Sequence, residues 1–240
     1  MGMESRRIPV DGVELHVGAT GEGPDLLVLT GGPGCVQYLE RPEISPPGYR
    51  AWYPEPRGVG RSGGGPHDME RGIADLEAIR EAVGVDRWLV LGHSWGCEMA
   101  VRYAVEHPGA VAGVLGIAGR GPQRDRTWSE TYEAGKDSEP VVDIDWVPEV
   151  HAALSESFGE WIHRPDLWRG LADCDVPMHF VAAAHDIRPS WPMAQLAALV
   201  RRGRFSTVPG VPHDFWSTHP EVWTTTVTEA CAALSPDRAH

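Results

Sequence analysis

Asp86 to Arg102 reads Asp-Arg-Trp-Leu-Val-Leu-Gly-His-Ser-Trp-Gly-Cys-Glu-Met-Ala-Val-Arg, and this stretch decides the fold. Trp88 to Leu91 is a short apolar run, the pattern of a buried strand. Gly92, Ser94 and Gly96 follow at once as G-x-S-x-G. Cys97 to Glu106 reads as a helix, with Met99 and Tyr103 four apart and Pro108 closing it. Between a strand and a helix, G-x-S-x-G predicts a sharp turn that lifts a serine hydroxyl above the sheet edge beside helix N-terminal amides. Glycine on either side removes side chains that would strike the neighbouring strand and helix. Without that context the same letters describe a Gly-rich turn with a capping serine.

Outward from this stretch, strands alternate with helices. Upstream, Arg6 to Val10 and Val13 to Val17 flank Asp11-Gly12, a hairpin signal. Asp25 to Thr30 is an apolar strand that runs into Gly31-Gly32-Pro33-Gly34, and Tyr49 to Tyr53 is another strand. Met69 to Val83 carries Ile73, Leu76, Ile79 and Val83 on one helical stripe and ends at Gly84. Downstream come a strand at Val111 to Ala118, a strand at Val176 to Ala182, a helix at Trp191 to Arg201 and a strand at Phe205 to Val208. A helical segment from Phe215 to Leu234, broken around Pro220, closes the chain. The alternation predicts an α/β fold with a mostly parallel, doubly wound sheet covered on both faces. Residues 119–173 lose the regular pattern. They are acidic, hold Trp128, Trp146, Trp161 and Trp168, and read as a small, mostly helical insertion over the site; 1–118 and 174–240 form the core.

A serine becomes a nucleophile when a base takes its proton, and the base needs an acid to fix its tautomer. Asp186 follows one late strand and His213 follows the last, both at the carboxyl edge where Ser94 stands, in the order Ser, acid, His. The competitors fit less well. His185 precedes the last strand, His93 should point away from its neighbour Ser94, and His219 lies further into the closing segment. Asp214 is too close in sequence to support the His213 ring from behind. The backbone amides of Gly32 and Trp95 are the expected oxyanion donors. Glu98, one helical turn beyond Ser94, either meets a substrate amine or pairs with Arg102. Trp128, Glu130, Glu133 and Trp146 of the insertion are further candidates for substrate contact, and its tryptophans could equally form a dimer contact.

The chain has 240 residues, enough for one large α/β domain. Its net charge of −13 argues against nucleic acid as a partner. No segment is apolar enough for a membrane span, and the start carries no apolar signal core, so a cytoplasmic location is expected. Four widely spaced cysteines, Cys35, Cys97, Cys174 and Cys231, fit neither a zinc site nor a disulfide framework and are expected as free thiols. No metal-ligand cluster appears, and neither metal nor organic cofactor is expected.

Gly31-Gly32-Pro33-Gly34, Arg57-Gly58-Val59-Gly60-Arg61-Ser62, and Asp75-Leu76-Glu77-Ala78-Ile79-Arg80 leading to Gly92-His93-Ser94-Trp95-Gly96 together resemble the α/β-hydrolase superfamily, in its proline iminopeptidase-like branch. The resemblance implies an α/β-hydrolase fold with a shortened cap. It places Ser94, Asp186 and His213 at the triad positions and Gly32 and Trp95 at the oxyanion positions. Thr30 stands where the family usually has histidine, and Glu55-Pro56 where it usually has Asp-Gln. The expected activity is hydrolysis of a small ester, lactone, thioester or amide through an acyl-enzyme, with release of N-terminal proline from short peptides as a specific case, by a monomer or homodimer. The alternatives are a non-hydrolytic small-molecule binder on the same fold, or an acyltransferase or perhydrolase.

Overall fold

The computed structural model describes residues 2–123 and 125–235. Among them, eight strands form one sheet: β1 (Glu4–Val10), β2 (Val13–Thr20), β3 (Asp25–Leu29), β4 (Arg50–Pro54), β5 (Trp88–His93), β6 (Val111–Ile117), β7 (Met178–Ala183) and β8 (Gly203–Val208). Their spatial order is β1-β2-β4-β3-β5-β6-β7-β8. β1 and β2 form the antiparallel hairpin, with Asp11 and Gly12 both at positive φ as its turn requires. From β4 to β8 every neighbouring pair is parallel. The predicted doubly wound α/β sheet is therefore present.

The helices are the crossovers that parallel pairing demands. α1 (Met69–Val83) joins β4 to β5, and α2 (Trp95–Glu106) joins β5 to β6. α3 (Arg126–Gly135), α4 (Pro148–Ile162) and α5 (Leu167–Asp173) lie between β6 and β7; α6 (Trp191–Leu199) joins β7 to β8; α7 (Phe215–Thr218) and α8 (Pro220–Leu234) follow. Asp68 caps α1 by accepting from the Arg71 amide at 2.7 Å, and Gly84 ends it at φ 76°. Several boundaries differ from the sequence reading by one to three residues, and two of the shifts have a clear local cause. α2 starts at Trp95 rather than Cys97, because the bend falls wholly on Ser94. β7 starts at Met178 rather than Val176, since Pro177 has no N–H to give a ladder.

Side chains of the central strands alternate between two cores. Leu27, Leu29, Trp88 and Val90 face α1, α2 and α6, while Leu26, Val28, Leu89 and Leu91 face α8. Burial on both faces explains why these strands read as continuous apolar runs. The order in which the chain lays down its strands reverses between β3 and β5, and clefts form at that switch, outside the carboxyl ends of the strands. None of the described helices is long and apolar enough to cross a membrane.

Candidate active site

Ser94 leaves β5 at φ 52° and ψ −123°, a conformation that costs a non-glycine residue about 1–3 kcal/mol. Surrounding bonds hold it there: its amide donates to Ile117 O at 2.9 Å, and its carbonyl accepts from Cys97 N at 2.9 Å. A Cβ at Gly92 would collide with the Gly96 carbonyl, and one at Gly96 with the Leu29 carbonyl. Both glycines are thus required by close approach, as the sequence implied. The Ser94 side chain borders a cleft of about 430 Å³, within the size range of small-molecule sites.

The loops after β7 and β8 bring Asp186 to His213. Asp186 Oδ2 accepts from His213 Nδ1 at 2.6 Å, and both side chains are 6% exposed. The other carboxylate oxygen accepts from the Arg188 amide at 2.9 Å and from Arg188 Nη1 at 3.1 Å. Burial works to raise the Asp186 carboxyl, but the His213 ring and Arg188 outweigh it, so its pKa lies below the ordinary value. With Nδ1 committed to Asp186, Nε2 is the His213 nitrogen left to exchange a proton. The competing residues go elsewhere. His185 and His219 are exposed, and Asp214 accepts from Trp216 Nε1 at 3.0 Å.

His93 points away from Ser94 into a buried network. The Gly31 amide donates to Tyr38 Oη at 2.8 Å, Tyr38 donates to His93 Nδ1 at 2.6 Å, and His93 Nε2 donates to the His213 carbonyl at 3.1 Å. The tautomer follows from these partners. Burial, and then the nearby His213, push the His93 pKa down to about 4. The network links the glycine loop to the loop that carries His213. The amides of Gly32, at φ 120°, and of Trp95, at the start of α2, donate to no protein acceptor among the described residues, and both residues border the cleft.

The insertion supplies the opposite wall. Trp128, Ser129, Tyr132 and Glu133 of α3 and His151 and Ser155 of α4 line it, with Glu98 from α2. Glu98 does not pair with Arg102, which bonds Glu106 at 2.8 Å instead. One Glu98 oxygen accepts from the Arg120 and Gly121 amides, each at 2.8 Å. Its carboxyl is raised by burial, against the opposing pull of Arg120 and these amides. Glu130 does not reach the cleft, because the α3 face that carries residues 128, 129, 132 and 133 leaves 130 on the solvent side. Trp146 is also outside the lining. It is 52% exposed, bridges Cys35 and sets its ring edge on His151. Its stretch ties the insertion to the glycine loop: Val36 N donates to Asp145 O at 3.0 Å, and Val147 N to Gly34 O at 2.9 Å.

Sequence reasoning missed Arg188, which bonds Asp186, lies 5.3 Å over the Tyr132 ring and forms an ion pair with Glu139 of the insertion. Its signal was an arginine two residues past the candidate acid. Tyr38 and His151 had no comparable signal. Cys97 is fully buried against Gly116 and Gly119, which makes it a packing residue; the half-buried Cys35 thiol is pushed up to about 11 by burial and by Asp214.

The model of a protein family described as the alpha/beta hydrolase fold matches residues 24–140. Proline iminopeptidase of Neisseria gonorrhoeae is 35% identical over 101 residues, which cover 39% of this chain and 32% of that protein. The match therefore spans about a third of the curated relative's length. Among solved structures, a proline iminopeptidase-related protein of Thermus thermophilus superposes with a TM-score of 0.73 at 25% identity, over 98% of this chain and 99% of that one. A proline iminopeptidase of Mycobacterium smegmatis gives 0.73 at 19% identity, over 96% and 98%, a likeness of fold alone. The chain thus has the α/β-hydrolase fold and is proline iminopeptidase-like in its similarities.

Proposed function

We propose that the protein is a serine hydrolase of small carbonyl substrates. The observation that carries this reading is the 2.6 Å Asp186–His213 pair at the sheet edge where Ser94 is held in its strained turn. Ser94 Oγ attacks the carbonyl carbon while His213 Nε2 takes its proton. The negative charge that develops on the carbonyl oxygen is received by the Gly32 and Trp95 amides, and such donors each contribute about 10²–10³-fold in rate. His213 then returns the proton to the leaving group. Water, deprotonated by His213 in turn, releases the acyl group from Ser94. Asp186 holds the ring in the tautomer that this sequence needs and stabilises the imidazolium.

Charge in the cleft favours an ester or thioester over a peptide with a free amino terminus. A carboxylate that recognises an amine has to be uncommitted, and here each has a partner. Glu98 accepts two amides with Arg120 beside it, Glu133 pairs with Lys136 at 2.5 Å, and Glu139 pairs with Arg188. The test is hydrolysis of short-chain aryl esters and of proline anilide by the wild-type chain and by Ser94→Ala, together with fluorophosphonate labelling. Ser94-dependent ester cleavage well above anilide cleavage is expected. Dominant anilide cleavage would restore the peptidase assignment, and an unlabelled Ser94 with no turnover would remove the hydrolase reading.

A further inference from the structure

A second cavity lies behind the nucleophile turn, with a free volume of about 80 Å³, several times what one ordered water needs. Leu29, Ile79, Met99, Val150 and Leu154 line it. The polar residues around it are mostly committed elsewhere: Arg57 to Asp75 at 2.6 and 2.8 Å, Glu55 to Arg61 at 3.0 Å, and Thr30 to the Val36 carbonyl at 3.1 Å. His67 Nδ1 is the exception, buried without a partner among the described residues. Apolar side chains make up most of its lining, so an apolar group placed there gains dispersion contacts.

Its position connects it to the chemistry. Trp95 borders both this cavity and the catalytic cleft, and so does the glycine loop, through Gly31 and Gly34 on one side and Gly32 and Pro33 on the other. α4 straddles the two spaces, with Val150 and Leu154 turned to the cavity and His151 and Ser155 to the cleft. The Trp95 indole is half-buried and meets Phe158 edge-on at 5.5 Å. Gly72, in α1, is where Met99 enters: its methyl carbon lies 2.9 Å from where a Cβ would be. A glycine there costs the helix about 1 kcal/mol relative to alanine, and it leaves room on this side of α2.

We propose that this cavity receives the aliphatic chain on the acyl side of the scissile carbonyl, with the Trp95 indole as the partition that swings to admit it. The proposal rests on Ser94 as the nucleophile. A carbonyl carbon bound to Ser94, with its oxygen on the Gly32 and Trp95 amides, has two other substituents. The leaving group lies in the polar cleft, and the chain passes Trp95 into the apolar space. The substrate class is then esters or thioesters of unbranched acids in the butyryl to hexanoyl range. Bulky acyl groups are excluded for want of room, and charged ones are disfavoured because Arg57 and Glu55 beside the cavity are already paired with Asp75 and Arg61.

The experiment compares aryl acetate with aryl hexanoate on wild type, Leu154→Phe and Met99→Trp, with circular dichroism to confirm folding. Calorimetric binding of hexanamide and acetamide to the Ser94→Ala protein, with and without Leu154→Phe, reads the cavity without turnover. Filling it is expected to lower kcat/KM for hexanoate at least about 10-fold while acetate changes less than about twofold. Hexanamide should bind more tightly than acetamide by about fourfold per added methylene, and Leu154→Phe should abolish that gain. If acetate is cleaved but neither filling variant nor chain length matters, the cavity assignment is overturned and the hydrolase reading stands. If no ester is cleaved yet hexanamide binds in the Leu154-dependent way, the hydrolase reading falls and the apolar site remains. Loss of both removes both.

Discussion

The strand ends of the core and the insertion between β6 and β7 both face the cleft, but they hold their residues there by different means. Ser94, Asp186 and His213 each follow a strand whose register is locked to its neighbours, as Leu29↔Gly92, His93↔Ile117 and Ala183↔Val208 pair in parallel. A one-residue slip in such a ladder would turn each side chain to the other face, so these positions are over-determined. The insertion presents one face of α3 and one of α4. Its ties to the core include two backbone bonds at the glycine loop, the Glu98 bonds from the Arg120 and Gly121 amides, the Met69 amide donating to the Ser157 hydroxyl, the Arg188–Glu139 pair and the buried apolar side chains of α4. On the proposed reading, the core supplies the chemistry and the insertion adjusts what the chemistry acts on.

If that division holds, the largest loss belongs to the core. Asp186→Asn should lower kcat by about 10⁴-fold, because an amide fixes the wrong His213 tautomer, with little change in KM for aryl esters. Steady-state kinetics on the folded variant decide it. An effect below about 10-fold would mean that His213 is oriented by its backbone tether alone. Beneath the site, Asp75→Asn leaves the Arg57 guanidinium buried without its bidentate carboxylate. The expected cost is about 3–5 kcal/mol of folding stability, read as a lower urea midpoint. The same kind of change at Glu130, to Gln on the outer face of α3, should fall within about 0.5 kcal/mol of wild type.

This contrast also explains how much could be read from the residues alone. The strands and helices of the core follow period and punctuation: apolar runs, the α1 stripe and Gly84 mark elements within three residues of where they lie. The order of Ser94, Asp186 and His213 was legible because each follows a strand. The insertion was legible only as helical and aromatic. Which of its residues reach the cleft depends on the angle at which α3 and α4 dock, and that angle is set by tethers such as Val147 to Gly34 that have no local signature. Trp146 shows the difficulty. A large aromatic beside the site was expected to contact substrate, and its bridge to Cys35 turns it outward. Glu98 was read against its helical neighbour Arg102, but a distant turn at Arg120 and Gly121 claims it.

His93 sharpens the comparison through pH, because it lies in the core yet touches the His213 loop. Its pKa is held at about 4 by burial, against an ordinary value near 6.5. The unfolded chain therefore takes up a proton before the folded one does. The contribution of the neutral ring to stability is complete above about pH 6.5 and is lost as the pH falls toward 4. The expected loss over that window is on the order of 3 kcal/mol. His93→Gln can still accept from Tyr38 and donate to the His213 carbonyl, but it cannot titrate. Urea midpoints from about pH 7 to about pH 4 should fall less steeply in the variant, and parallel slopes would remove His93 as the cause.

The smallest expected effect on catalysis tests the link between the two regions. Glu139→Gln leaves Arg188 in contact with Asp186 and Tyr132 but removes the insertion's charge from it. Asp186 then meets a guanidinium that is less firmly placed. Acyl transfer from an aryl ester should slow by about threefold to 10-fold, on the scale of a loss of about 1 kcal/mol in orientation. Stability should change little, since the pair is partly solvent-screened. Glu133→Gln, on the same insertion but away from Arg188, should alter KM without altering kcat. If Glu139→Gln lowers kcat and Glu133→Gln does not, the insertion reaches the chemistry through Arg188 alone. Equal effects on kcat would mean that α3 itself touches the reacting groups, and the division between strand ends and insertion would fail.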